Sequence, residues 1–120
     1  MTTTELGMSL IYELTNEQVN ERVRTSCMGN YWYLTQKDAD TFNIVYIGRS
    51  DSDLREEIKS RRTTDTKFDK CTHFCFSYAE TSKEAYEKEC KDYHTYKPLL
   101  NDIHPDKPDG KKYICPICNK

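Results

Sequence analysis

Apolar residues recur along this chain in short stretches, each with its own period. Val19, Val23 and Cys27 repeat every four residues and form one apolar stripe. Thr15 and Gln18 precede the stripe with the Thr-x-x-Gln spacing of a capping box, and Leu14 with Val19 has the spacing of a hydrophobic staple. The pattern predicts a helix over 16–27 that ends at Gly29 and Asn30. Tyr31 to Thr35 is dense in aromatics and predicts a strand. A polar turn follows over 36–41, then a second strand over 43–47 that closes at Gly48. The two strands suit a hairpin with a long loop. Ser52 or Asp53 can cap a helix running to about Arg62, with Leu54 and Ile58 on its buried side.

From Thr72 to Tyr78 the period changes to two. Phe74, Phe76 and Tyr78 share one face, and His73, Cys75 and Ser77 share the other, which predicts a third strand. Thr81 or Ser82 caps a last helix to about Tyr93 or His94, and Pro98 lies beyond its end. After Asn101 the chain turns to Pro, Gly, Asp and Lys until Cys115-Pro116-Ile117-Cys118. The expected fold is α/β: a small, mostly antiparallel three-stranded sheet flanked by helices, with a C-terminal zinc knuckle. Its expected parts are an N-terminal helical extension (1–28), a central domain (29–101) and a tail (102–120) packed on that domain.

Composition narrows this picture. The 120 residues suit one domain. About a third are charged, so the core must be small and lean on nine Tyr, four Phe and one Trp. A structural metal helps a domain of this size disproportionately. The formal net charge of −2 advertises no strongly basic field for nucleic acid, though it leaves room for a local basic groove. No apolar run approaches the ~20 residues that span a bilayer, and no membrane partner is expected. The first ten residues lack a basic end followed by a long apolar stretch. The expected location is cytoplasmic, where the six cysteines are metal ligands, core residues or redox thiols rather than stable disulfides.

The second strand ends Val45-Tyr46-Ile47-Gly48-Arg49-Ser50, and Gly29-Asn30-Tyr31 opens the first. Later come a helix containing Leu54, a helix with Ala85 and Glu89 four apart, and Lys97-Pro98-Leu99-Leu100-Asn101. Over residues 29–101 this order resembles the GIY-YIG nucleases. The second of the two name-giving motifs matches literally, and the first lacks its central Ile. Tyr33 competes with Tyr31 as the first tyrosine, since it faces the same side of the strand. The interval between the tyrosines is longer than the common spacing of that family, which implies a longer hairpin loop.

The resemblance implies metal-assisted cleavage of phosphodiester bonds. Tyr31 or Tyr46 would position or activate the attacking water, and Glu89 would hold magnesium or manganese. Asn101 would support the site. It also implies an arginine on the helix after the YIG strand, three residues beyond the leucine. Glu57 stands there instead, a reversal of charge, and Leu54 itself lies one residue later than usual. Arg61, one turn beyond Glu57 on the same face, and Arg49, directly after the YIG strand, are the candidates to replace that arginine. Arg55 points elsewhere on the helix.

Cys115 and Cys118 have the spacing that lets two thiolates reach one tetrahedral zinc. Cys90 and His94 lie one helical turn apart on one face. The favoured structural site is therefore Cys90, His94, Cys115 and Cys118, with His104 in place of Cys90 as the alternative. A closed site of this kind braces the fold and is not catalytic.

Duller roles stand beside these. Tyr31, Tyr33 and Tyr46 serve equally as core aromatics, Glu89 as a solvated helix residue, Asn101 as a turn former, and Arg61 with Arg62 as a helix end. Two functions remain open: an endonuclease weakened or silenced by Glu57, or an inactive relative that binds nucleic acid or protein. Nucleic acid is the expected partner, DNA in preference to RNA, and the oligomeric state is left open. If the motif matches were accidental, the fold would hold no groove shared by a tyrosine and Glu89.

Overall fold

The computed structural model describes residues 3–119; Met1, Thr2 and Lys120, which end the first and last expected segments, lie outside the described residues. The regular elements are β1 (Tyr12–Glu13), α1 (Asn16–Arg22), β2 (Gly29–Gln36), β3 (Phe42–Ser50), α2 (Leu54–Arg61), β4 (His73–Tyr78) and α3 (Ser82–Tyr96). Single 3-10 turns occupy Thr4–Leu6 and Thr66–Phe68. The sheet is antiparallel throughout, in the order β1-β4-β2-β3.

The sheet thus has four strands where three were expected. The extra strand is two residues long, Tyr12 against Phe74 and Glu13 against His73. A pair of residues carries no readable alternation, and only the exposed flank of β4 makes them a strand. The segment before residue 29 accordingly contributes a strand as well as a helix.

The helix starts follow local chemistry. The Thr15 and Thr81 hydroxyls and the Asp53 carboxylate accept the backbone N–H three residues on, from Gln18, Glu84 and Glu56. Each such cap is worth about 1 kcal/mol. Helix α1 stops at Arg22, not Cys27: Val23 is already extended and Ser26 takes a positive φ of 57°. The chain turns there because it must enter β2, and the Cys27 carbonyl is taken by the Leu54 N–H. Helix α3 runs past its expected end to Tyr96 and closes on Lys97, left-handed at φ 46°, just before Pro98.

Strand β2 lies in the middle of the sheet and is buried from Gly29 to Leu34. Its alternate side chains enter different cores. Tyr31 and Tyr33 join Phe74 and Phe76 of β4, Val19 of α1, Val23 just after it, and Leu54 and Ile58 of α2. Trp32 and Leu34 face the other way, with Ile47, Cys75 and Met8, and Tyr96 of α3 packs against them. Fully burying one such apolar side chain contributes ~1.5–3 kcal/mol. Gly29 is fixed by close approach, because a Cβ there would lie 2.1 Å from the Ser77 carbonyl oxygen.

The consequence for function is geometric. Strand β3 forms one edge of the sheet, with α2 packed against one face and α3 against the other. Opposite Tyr33 and Leu34 its register shifts, with Tyr33 paired to Tyr46 and Leu34 to Ile44. Val45 is the extra residue of this bulge, and its carbonyl accepts the Leu100 N–H instead. The chain that leaves α3 therefore runs along the outer edge of β3.

Candidate active site and metal centre

A cleft of about 450 Å³ opens along that edge. Tyr46, Gly48 and Arg49 of β3 form its floor, Glu57 and Arg61 reach it from α2, and Glu89 reaches it from α3. The chain from Leu100 to Asp106 makes the remaining wall, with Lys67 at the rim. Five expected site residues, Tyr46, Arg49, Arg61, Glu89 and Asn101, thus meet in one place.

Tyr31 lies beneath this cleft rather than in it. It is fully buried under Gly48, where a Cβ would come within 2.4 Å of the Tyr31 ring and hydroxyl. Its hydroxyl donates to Glu57 Oε2 at 2.9 Å. Burial first, then the Glu57 charge, raises the Tyr31 phenol well above its ordinary range. Tyr33, the competing residue, donates its buried hydroxyl to the Ile58 carbonyl and so fastens α2 to the sheet. Tyr46 is the tyrosine that lines the cleft; burial raises it too, against the opposing pull of Arg61.

Glu57 ties these groups together. The same Oε2 that accepts from Tyr31 accepts from Arg61 Nε at 3.1 Å. Burial disfavours the Arg61 charge, but Glu57 outweighs it and the guanidinium stays strongly basic. Arg61 thus reaches the cleft with its charge already paired.

The other end is built around Arg49. Its Nη1 donates to Glu89 Oε1 at 2.6 Å and to the Asp106 carbonyl at 2.5 Å. Its Nε and Nη2 grip the two carboxylate oxygens of Asp51 at 2.9 and 3.1 Å. Arg49 Cζ also sits 5.4 Å from the centre of the Tyr86 ring. Glu89 is only 8% exposed, and burial pushes its carboxyl up to about 7 although Arg49 pulls the other way. One guanidinium shared among three acceptors compensates incompletely for that burial.

Asn101 acts on the backbone. Its Oδ1 accepts the Ile47 N–H at 2.8 Å and its Nδ2 donates to the Ile47 carbonyl at 2.9 Å. One side-chain amide thereby supplies both hydrogen bonds that a neighbouring strand would give. Its contribution to the cleft is to fix the wall against β3.

Beyond that wall, ring nitrogens of His94 and His104 and the sulfurs of Cys115 and Cys118 all lie within 4.8 Å of one another. This group could hold a metal ion. Ligand atoms of a tetrahedral zinc site stand roughly 3.3–3.8 Å apart, so a small contraction suffices. His94 Nε2 is buried without a hydrogen-bond partner, as an imidazole reserved for a ligand would be. His104 Nδ1 lies 3.0 Å from the Pro105 carbonyl, which keeps the proton on Nδ1 and leaves a lone pair on Nε2, 3.4 Å from Cys118 Sγ. Burial works against the Cys115 thiolate, but the N–H groups of Cys118 and Ile117, with His104 and Cys90, outweigh it and hold that thiol below its usual range.

The favoured ligand set is corrected at one position: His104 belongs to the group and Cys90 does not. Cys90 is fully buried beside Tyr86 and Cys115, and burial pushes its thiol up to about 12. It serves as a packed neighbour of the Cys115 sulfur. The chain reverses after Lys97, and that return swings His104 alongside His94, ring centres 5.2 Å apart. Helical spacing alone could not show this.

Other cleft residues carried no signal in the sequence. Asp51, Lys67, Asp102 and Asp106 belong to turns and irregular segments. All six cysteines are free thiols, and no helix among the described residues is long and apolar enough to cross a membrane. No protein-family model, curated protein or solved structure matches the chain.

Glu89 gives a pH dependence with a defined sign. A glutamate ionises near 4.3 in an unfolded chain, whereas folded Glu89 ionises at about 7. The folded state therefore holds its proton more tightly. The Glu89 contribution to stability is greatest below the unfolded value, falls as pH rises from about 4.3 to about 7, and is level above that, a loss on the order of 4 kcal/mol. Urea unfolding at about pH 5 and about pH 8 measures it. Glu89→Gln should flatten that part of the profile, and an unchanged profile would show that Glu89 does not titrate in this window.

Proposed function

We propose that this chain is a GIY-YIG-like, metal-dependent endonuclease domain that cleaves phosphodiester bonds weakly, with DNA preferred to RNA. The observation that supports it is the meeting of Tyr46, Arg49, Arg61, Glu89 and Asn101, drawn from four separate segments, in one cleft. In this reading Tyr46 orients the attacking water, because its ring rather than that of Tyr31 lines the cleft. Arg61 and Arg49 are the cations that face a phosphate, and Asn101 sets the wall.

Glu89 is the residue that would hold the magnesium or manganese ion, and its hard oxygen donors, with Asp51 and Glu57 nearby, fit such a cation. The ion, when bound, supplies positive charge opposite the phosphate oxygens. That supply matters here because five carboxylates (Asp51, Glu57, Glu89, Asp102 and Asp106) share the cleft with three cations, Arg49, Arg61 and Lys67. Each cation is already in an ion pair. A phosphodiester must displace Glu57 from Arg61, and a cation must displace Arg49 from Glu89 Oε1. Both displacements raise the barrier, so cleavage is slow.

One observation favours a second reading, a binding module without cleavage: Glu57 holds Tyr31 and Arg61 with the same oxygen and puts negative charge where a phosphate would sit. Supercoiled plasmid and branched DNA, incubated with Mg2+ or Mn2+, separate the two. Slow nicking by the wild type, abolished in Glu89→Ala and raised in Glu57→Arg, supports the nuclease. Inertness of all three proteins leaves the binding module.

We assign the ion of the His94, His104, Cys115 and Cys118 group as a structural zinc, because paired thiols and imidazoles suit that metal. Elemental analysis should find one zinc per chain. Cys115→Ser and His104→Ala should lose it, and Cys90→Ser should keep it. Loss of zinc from Cys90→Ser alone would return Cys90 to the ligand set.

A further inference from the structure

We infer that His104 is a positioning residue through which the metal centre holds Arg49 against Glu89 across the cleft. The inference rests on reading the His94, His104, Cys115 and Cys118 group as a zinc site, and adds that this metal, outside the cleft, controls the pairing inside it.

His104 belongs to both places: it lines the cleft and offers a ring nitrogen to the metal group. Two residues later, the Asp106 carbonyl accepts from Arg49 Nη1, the same nitrogen that donates to Glu89 Oε1. The position of Asp106 therefore decides how Arg49 is shared. The segment 102–106 contains no helix or strand, so its course is set by the residues that anchor it. One end is fixed by Asn101 on the Ile47 backbone. At that same end, Lys67 reaches Asp102 at 2.7 Å, but the Asp102 side chain is 73% exposed, and a pair so open to water holds weakly.

The middle of the segment is held at His104. Its Nδ1 stays within the segment, on the Pro105 carbonyl, and its Nε2 faces Cys118 in the metal group. The metal ligands reach back to α3 through His94, one turn beyond Glu89 and Cys90. A bound ion thus closes a loop from α3 through His104 to Asp106, Arg49 and back to Glu89 on α3. Without the ion His104 keeps only the 3.4 Å contact of its Nε2 with Cys118 Sγ and ring packing against Tyr93 and His94, a weaker hold than metal ligation. The Asp106 carbonyl then drifts, and Arg49 is free to leave Glu89 for Asp51 alone.

The test uses the full chain with one equivalent of Zn2+ and reads rotation of the Arg49 guanidinium about its Nε–Cζ bond by NMR. The Trp32 indole N–H, which donates to Asp92 at 3.1 Å, reports whether sheet and α3 stay joined. Chelating the zinc should speed Arg49 rotation by about tenfold while the indole stays protected, as expected of a local opening. His104→Cys, which keeps four donors, should bind zinc and restore slow rotation. Pro105→Gly keeps all four donors and the carbonyl on His104 Nδ1 but loosens the link to Asp106; it should retain zinc and still speed Arg49. That variant decides the matter if chelation unfolds the chain and the indole signal is lost.

Slow Arg49 rotation in the zinc-free protein with Trp32 protected, or in Pro105→Gly, would overturn the inference. So would fast rotation in zinc-loaded His104→Cys. Neither signal involves cleavage. A protein that never cuts nucleic acid still answers the question, and a cutting protein whose Arg49 ignores the metal loses only this inference.

Discussion

The covering of one sheet edge by a single side chain governs the functional half of this molecule. Strand β3 ends the sheet, and an unpaired edge presents backbone groups that must be satisfied. Asn101 answers with two hydrogen bonds to Ile47, and Leu100 adds a third to Val45. Those bonds bring the chain back beside β3 after α3 has ended. Without that return the cleft would have a floor and two sides but no outer wall. His104 would not reach His94, and Arg49 would lose the Asp106 carbonyl. Cleft and metal centre are therefore two results of one edge being closed.

Electrostatic tension runs through what this closure assembles. Glu89 and Arg49 are largely buried together, and a buried ion pair gains little net stability because both charges lose water. Glu57 and Arg61 form a more open pair of the same kind. Both pairs place opposite charges where a phosphate and a divalent cation would otherwise meet them. The cations of the proposed site are thus already paired, and its ligands must compete with internal partners. In the proposed nuclease reading this competition is what would slow cleavage, and Glu57 would then count for more than the absence of an arginine.

Much of this was legible in the sequence, for identifiable reasons. The caps at Thr15, Asp53 and Thr81, the alternation in β4 and the aromatic density of β2 are local signals, and local signals fixed those elements. Five residues picked out by the order of short motifs line one cleft, a grouping that the motif order suggested without any knowledge of contacts. Strand β1 was missed because two residues have no period. The early end of α1 was missed because Cys27 continues the apolar stripe while its carbonyl is needed by Leu54. Cys90 was favoured over His104 because a helix makes neighbours of residues four apart, whereas the approach of His104 depends on the reversal at Lys97 and the clamp at Asn101. Tyr31 was placed in the cleft by its motif and lies beneath it because Gly48 leaves room for its ring.

The central claim is that the edge of β3 receives a divalent cation at Glu89. Paramagnetic broadening of backbone amide signals by substoichiometric Mn2+, with the C-terminal centre filled by zinc, tests this most directly. The account predicts selective broadening around Gly48, Arg49 and Glu89, removed by Glu89→Gln, with β1 and the far end of α1 untouched. Broadening confined to other acidic surfaces, or unchanged in Glu89→Gln, would contradict it.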